Sequence, residues 1–212
     1  MIIKQIETYR LSVPLIKPFK TALRTVETAE TIIVKVICEN GITGFGEAPP
    51  THVITGDSLY SIETTIQNIF KPFLIGKDVR LFEKVFQGLH SLVIGNTSAK
   101  AAIDMALYDC LAKSNNLPLY QYLGGYRDSL ETDFTVSVNS PEEMGEDALS
   151  YVAQGFQVLK IKVGKDCLAD DIARITRIRE TVGKQVKLRL DANQGWTPKE
   201  AVSIIHKLED LD

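Results

Sequence analysis

Gln157-Val158-Leu159-Lys160-Ile161-Lys162-Val163-Gly164 reads as a short strand, dense in β-branched and long apolar residues and punctuated by Gly155 and Gly164. Side chains alternate across a strand, so Leu159, Ile161 and Val163 share one face while Val158, Lys160 and Lys162 share the other. The segment that follows, Ala169 to Thr181, is helix-like, which points to a parallel sheet with helices on its outer face. Such strands normally read as unbroken apolar runs. Two lysines on the inner face break that pattern and mark a candidate site. The competing reading is an edge strand with both lysines in water.

Working outward, Glu131 to Val138 and Lys187 to Asp191 read as further strands, giving three successive βα units. Ser140-Pro141-Glu142-Glu143 and Thr197-Pro198-Lys199-Glu200 carry capping-box chemistry at the helix starts. Each strand has one polar and one apolar face: Asp133, Thr135 and Ser137; Lys160 and Lys162; Lys187, Arg189 and Asp191. A doubly wound sheet covers both faces with helices and tolerates this badly. A barrel with a polar, site-bearing top accommodates it, with Thr135, Lys160, Lys162 and Asp191 near the C-terminal strand ends. Asp191 precedes the Thr197 cap by six residues, so helix capping does not account for it. Carboxylate oxygens suit Mg²⁺, which makes Asp191 a candidate metal ligand. The three histidines are scattered and form no metal or triad spacing.

The preceding residues differ in kind. Residues 2–13 and Thr31 to Cys38 read as strands, and Asn40-Gly41 signals a hairpin into Ile42 to Glu47. A three-stranded antiparallel sheet is expected. Two stretches, 15–30 and 48–57, read as irregular lid loops, and Arg24 is the natural anion-binding group there. Helices are expected over Ser58 to Phe70 (ended by Pro72), Leu81 to about His90, Thr97 to Ser114, and briefly over Leu117 to Leu123, stopped by Gly124-Gly125. The small residues of the third, Ala99, Ala102 and Ala106 among them, predict close approach to a neighbour. The expected domains are an α+β capping domain over 1–125 and the N-terminal part of a (β/α) barrel over 126–212.

Bulk properties narrow the function classes. A net charge of −3 on 212 residues gives no nucleic-acid or anionic-membrane surface. Cys38, Cys110 and Cys167 are odd in number and lack metal spacing, which favours reduced thiols in a cytoplasmic protein. The N-terminus lacks the features of a signal peptide, and no run reaches transmembrane length.

Lys160-Ile-Lys162-Val-Gly followed by Leu-Arg-Leu-Asp191-Ala-Asn-Gln-Gly-Trp resembles the enolase superfamily, specifically its muconate-lactonizing subgroup. Leu117-Pro-Leu-Tyr-Gln-Tyr-Leu-Gly-Gly125 and the hairpin end Gly44-Phe-Gly-Glu47-Ala match too. The lid residues Lys17-Pro-Phe-Lys-Thr-Ala-Leu-Arg24-Thr, with Ile54-Thr-Gly-Asp57, look most like the dipeptide epimerases that interconvert L-Ala-D-Glu and L-Ala-L-Glu.

That resemblance implies that Lys162 is one of two acid/base lysines and Asp191 the first of three carboxylate ligands to Mg²⁺. It places Lys160 beside the substrate carboxylate, Thr135 in the pocket lining and Arg24 on the substrate's glutamate side chain. Other reactions of the subgroup share Lys162 and Asp191: N-acylamino-acid racemisation, o-succinylbenzoate synthesis and muconate cycloisomerisation. A full barrel takes about eight βα units, so a chain truncated after the third is expected to be inactive alone. It would work as a homo-oligomer or with the missing C-terminal barrel portion. A non-catalytic fragment acting only by association is the remaining alternative.

Overall fold

The computed structural model describes residues 1–211. They form two compact units, residues 1–14 with 28–128 and residues 15–27 with 129–211.

Strands β1 (Ile3–Lys20), β2 (Thr25–Cys38) and β3 (Thr43–Ala48) lie in that order across one sheet, and the first unit takes β1 up to Pro14, β2 from Thr28 and all of β3. β2 and β3 pair antiparallel, with Val34 opposite Gly46 and Val36 opposite Gly44. Of the Asn40-Gly41 pair, only Gly41 takes positive φ, at 85°. The Gly41 amide bonds to the Cys38 carbonyl and the Cys38 amide to the Ile42 carbonyl. The loop is therefore three residues with one left-handed position, not a two-residue turn.

The sequence reading of 15–30 as an irregular loop is corrected. β1 continues through Pro14 and Pro18 to Lys20, and β2 begins at Thr25, leaving only a tight turn. Proline removes a ladder donor, but β1 is an edge strand, where that loss is tolerated. Residues 15–27, read from sequence with the first domain, group with the second unit.

Helix α1 (Leu59–Thr65) widens into a π turn over Ile66–Phe70 and continues as α2 (Lys71–Leu74). Pro72 does not end the helix. The helix reaches Pro72 through the widened turn ahead of it, at whose end the Lys71 amide bonds to the Ile66 carbonyl five residues back. Helices α3 (Phe82–Leu92), α4 (Thr97–Ser114) and α5 (Leu119–Tyr122) follow.

The small-residue stripe of α4 lies against β3. A Cβ built on Gly46 would stand 1.9 Å from the Ala102 carbonyl oxygen, and one on Gly44 2.0 Å from that of Ala106. Because the obstacle is helix backbone, it cannot rotate away. Gly46→Ala is therefore expected to cost about 3 kcal/mol or more, at the upper end for overpacked cores. Urea denaturation measures this, and an unchanged midpoint would show the sheet free to lift from the helix.

Cys38 and Cys110 are buried in this core. Burial pushes both thiols up, Cys110 to about 12, so neither is a reactive thiolate at neutral pH. Among the described residues no helix is long and apolar enough to cross a membrane.

The second unit is a parallel sheet of β4 (Phe134–Val136), β5 (Val158–Lys162) and β6 (Lys187–Asp191), in chain order. Helices α6 (Pro141–Ala153), α7 (Leu168–Val182) and α8 (Pro198–Leu208) alternate with the strands. Ser140 Oγ accepts from the Glu143 amide, and at Thr197 the capping box is complete in both directions. Leu159, Ile161 and Val163 are fully buried with Met144 and Ala148 of α6 and Ile175 and Ile178 of α7. The helices thus cover the apolar face and leave the lysines on the other. β4 is shorter than the expected Glu131 to Val138, and β4 and β6 are the open edges of the sheet. On β6, Leu190 is accordingly exposed.

Candidate active site

The polar face is assembled by register. Thr135, Lys160 and Arg189 stand side by side on three adjacent strands, and Lys162 pairs with Asp191 one step nearer the C-terminal ends. In a parallel sheet, residues in register point to the same face, so the two lysines and the acid converge. Lys162 Nζ lies 2.7 Å and Lys160 Nζ 2.9 Å from the same oxygen, Asp191 Oδ2. Lys162 also donates to Asn193 Oδ1 at 2.8 Å. It is only 5% exposed, with the Phe19 ring 5.9 Å from its ammonium.

The electrostatics follow from this geometry. Burial alone raises the Asp191 carboxyl, but hydrogen bonds from Lys162, Lys160 and the Asn193 amide outweigh it and hold the group well below the usual carboxylate range. Lys160 is raised, first by its hydrogen bond to Asp191 and against a desolvation that lowers it. Asp191 is therefore an anion under any ordinary condition, and Lys160 a cation beside it.

Asp191 has more structural work than its sequence position revealed. Its Oδ1 accepts the Asn193 amide at 2.9 Å, two residues on, forming an Asx-type turn at the strand end. The sequence reading set helix capping aside for Asp191 but did not foresee this turn. It shapes the loop with one oxygen and gathers the lysines with the other. Asn193 was not singled out from sequence; the Asx spacing to Asp191 was the available signal. Phe19 and Asp171 were missed as well.

Arg24 sits at the turn between β1 and β2, half-buried, in the same compact unit as Lys162. Its backbone carbonyl accepts the Thr21 amide, and its own amide donates to Thr21 Oγ. Among the described residues its guanidinium makes no hydrogen bond or ion pair. The turn is fastened to the sheet: the Val138 amide donates to the Lys20 carbonyl, and Lys20 Nζ to Asn139 Oδ1. Lys17 pairs with Asp147 of α6.

The donor set is the kind Mg²⁺ takes: the carboxylate of Asp191 with the amide oxygen of Asn193 close by, both hard oxygens already turned toward a cation, the Lys162 ammonium. These residues fit part of such a site. Among the described residues no group of three or more His, Cys, Asp or Glu could hold a metal by itself.

Comparison with known proteins gives the family. Residues 5–124 match the mandelate racemase / muconate lactonizing enzyme N-terminal domain, and residues 143–212 match the enolase C-terminal domain-like family. The L-Ala-D/L-Glu epimerase of Bacillus subtilis is 63% identical over 99% of this chain, and that of Clostridium acetobutylicum 50%. The substrate-liganded structure of the Bacillus subtilis enzyme superposes with a TM-score of 0.98 over 99% of this chain and 58% of its own. The dipeptide epimerase of Enterococcus faecalis V583, complexed with Mg and L-Leu-L-Tyr, is 42% identical with a TM-score of 0.96, over 99% of this chain and 59% of its own. The chain spans 57% and 58% of the length of the two curated relatives. A capping domain followed by part of a barrel is what that coverage and the small open sheets amount to. The chain belongs to the mandelate racemase / muconate lactonizing enzyme family of the enolase superfamily, in its muconate-lactonizing subgroup.

Proposed function

We propose that this chain supplies one acid/base lysine and the first metal-ligating carboxylate of a dipeptide epimerase, acting on L-Ala-D/L-Glu through its α-proton. The observation that carries the reading is Lys162: a nearly buried amine at a strand end, held between Asp191 Oδ2 and Asn193 Oδ1. Any buried ammonium needs an anion and an acceptor oxygen; a second lysine brought to the same carboxylate oxygen is what a purely structural lysine does not call for.

Removing a proton beside a carboxylate leaves a dianionic enolate, whose charge must be met by cations. Asp191 would hold a Mg²⁺ that supplies the larger part of that charge. Lys160, kept cationic by Asp191, supplies a further positive charge beside the substrate carboxylate. Lys162, once it has given up its own proton, takes the α-proton from one face and returns it in the reverse direction. Thr135 lines the same face in register with Lys160. Epimerisation also requires a second proton carrier on the opposite face, which this reading assigns to barrel units beyond the three in this chain. Arg24, with an unengaged guanidinium on the turn, binds the acidic side chain of the dipeptide. The buried thiols suit a cytoplasmic setting.

The test is Mg²⁺-dependent exchange of the α-proton of L-Ala-D-Glu and L-Ala-L-Glu in D₂O. It is run on the 212-residue chain alone and joined to the remaining barrel units of the Bacillus subtilis relative. Exchange is expected only from the joined polypeptide. If the joined polypeptide exchanges no α-carboxylate substrate, the reading fails. Arg24→Met separates the dipeptide reading from other subgroup reactions. Losing one charged hydrogen-bond pair, about 1.5–3 kcal/mol, should lower kcat/KM for Glu-containing dipeptides by about 10- to 150-fold and leave neutral dipeptides nearly unchanged. Equal losses on both would remove Arg24 from the acidic subsite.

A further inference from the structure

Asp171 is fully buried in the first turn of α7 and accepts three hydrogen bonds from three directions. Its Oδ2 takes the Gly164 amide at 2.9 Å and the Trp196 indole N–H at 2.9 Å. Its Oδ1 takes the Arg174 guanidinium at 3.1 Å, whose Nε reaches the Asn139 carbonyl at 2.9 Å. Gly164 follows β5, Trp196 follows β6 and Asn139 follows β4. One carboxylate therefore connects the loops leaving all three strands, on the end of the sheet where Lys162 and Asp191 lie.

Those loops also interlock by backbone. A Cβ on Gly195 would stand 2.1 Å from the Gly164 carbonyl oxygen, and one on Gly164 2.7 Å from that of Ala192. Between Ala192 and Gly195, Asn193 and Gln194 take left-handed φ of 46° and 61°. Two consecutive non-glycine residues in that region are strained by about 1–3 kcal/mol each and persist only when their surroundings hold them. Helix capping does not explain Asp171: an acid in a first turn contributes from the surface, without burial or an indole partner.

We propose that Asp171 is a positioning residue of the site: by tying the Gly164 amide to the Trp196 indole, it holds the left-handed Asn193–Gln194 turn that presents Asn193 Oδ1 to Lys162. This deepens the epimerase reading and, in its catalytic part, rests on it. With the tie removed, the turn relaxes and Lys162 loses one of its two oxygen partners. The loss is expected on the proton transfer, because the Gly164 amide and the Trp196 indole that Asp171 ties together make no hydrogen bond to Arg24.

Trp196 is the single tryptophan of the chain, so its indole N–H is a unique resonance in a ¹⁵N–¹H correlation spectrum. In the 212-residue chain, Asp171→Asn, which keeps the shape and removes the charge, is expected to move the Trp196 indole and Asn193 side-chain amide signals and to speed solvent exchange of the indole. In the joined polypeptide it should lower kcat by about 10- to 100-fold, the range for a lost supporting partner, with KM nearly unchanged. A folded variant with unmoved Asn193 signals, or with moved signals and wild-type kcat, overturns the proposal. If Asp171→Asn does not fold, Trp196→Phe decides by the same Asn193 signals and the same kcat criterion. If wild-type joined polypeptide exchanges no substrate, the epimerase reading fails on its own, and the Asn193 signals still decide the tie.

Discussion

Lys162→Ala in the joined polypeptide is expected to lower α-proton exchange from one epimer of the dipeptide by about 10³-fold or more, within the range for losing a positioned general base. Exchange from the other epimer, served from the opposite face, persists at a reduced rate. The variant should fold. Asp191 keeps Lys160 at 2.9 Å and the Asn193 amide at 2.9 Å, so no carboxylate is left unpaired when the second ammonium goes. The cost is confined to a buried four-carbon stem, roughly 2 kcal/mol if the site collapses only partly. Following each epimer separately by proton NMR in D₂O gives a result that misfolding cannot imitate, since misfolding would silence both. Undiminished exchange from both epimers would remove Lys162 from the chemistry.

What could be read from the amino-acid order, and what could not, divides along physical lines. The βα alternation and the polar strand faces were legible because a period of two is local: Lys160 and Lys162 had to share a face whatever surrounded them. Their convergence on Asp191 needed only the assumption of a parallel sheet, and the register pairs Lys162 with Asp191 directly. The backbone between Pro14 and Pro18 was not legible, because proline reads as a breaker until a strand is known to lie at an edge. The π turn at Ile66–Phe70 was hidden for a similar reason: the adjustment that lets a helix pass Pro72 leaves no residue signature. Asp171 was the largest omission. In sequence it is one of several acids at the start of a helix; its burial and its indole partner, 25 residues away, exist only once three loops have met.

Asp191→Ala is expected to destabilise the second unit as well as abolish exchange, and the two effects have separate causes. Removing the carboxylate leaves Lys160 and Lys162 facing each other without their shared anion, with Lys162 only 5% exposed. Breaking a buried pair from one side costs about 3–5 kcal/mol. Lys160 is more than a third exposed in its side chain and keeps part of its hydration, so the lower end, about 3 kcal/mol, is the figure to expect here. The lost Asx turn adds to it, since Oδ1 no longer holds the Asn193 amide. A cycle with Lys160→Met separates the terms: if like-charge repulsion dominates, the double variant regains more than half of the loss in urea denaturation, because one ammonium has gone. If the turn dominates, Lys160→Met recovers nothing. Catalysis behaves differently. The double variant should remain at least about 10³-fold below wild type in Mg²⁺-dependent exchange, since no rearrangement of lysines replaces an anionic ligand. Recovery of exchange along with stability would show that Asp191 serves the fold alone, and the metal would have to be held elsewhere.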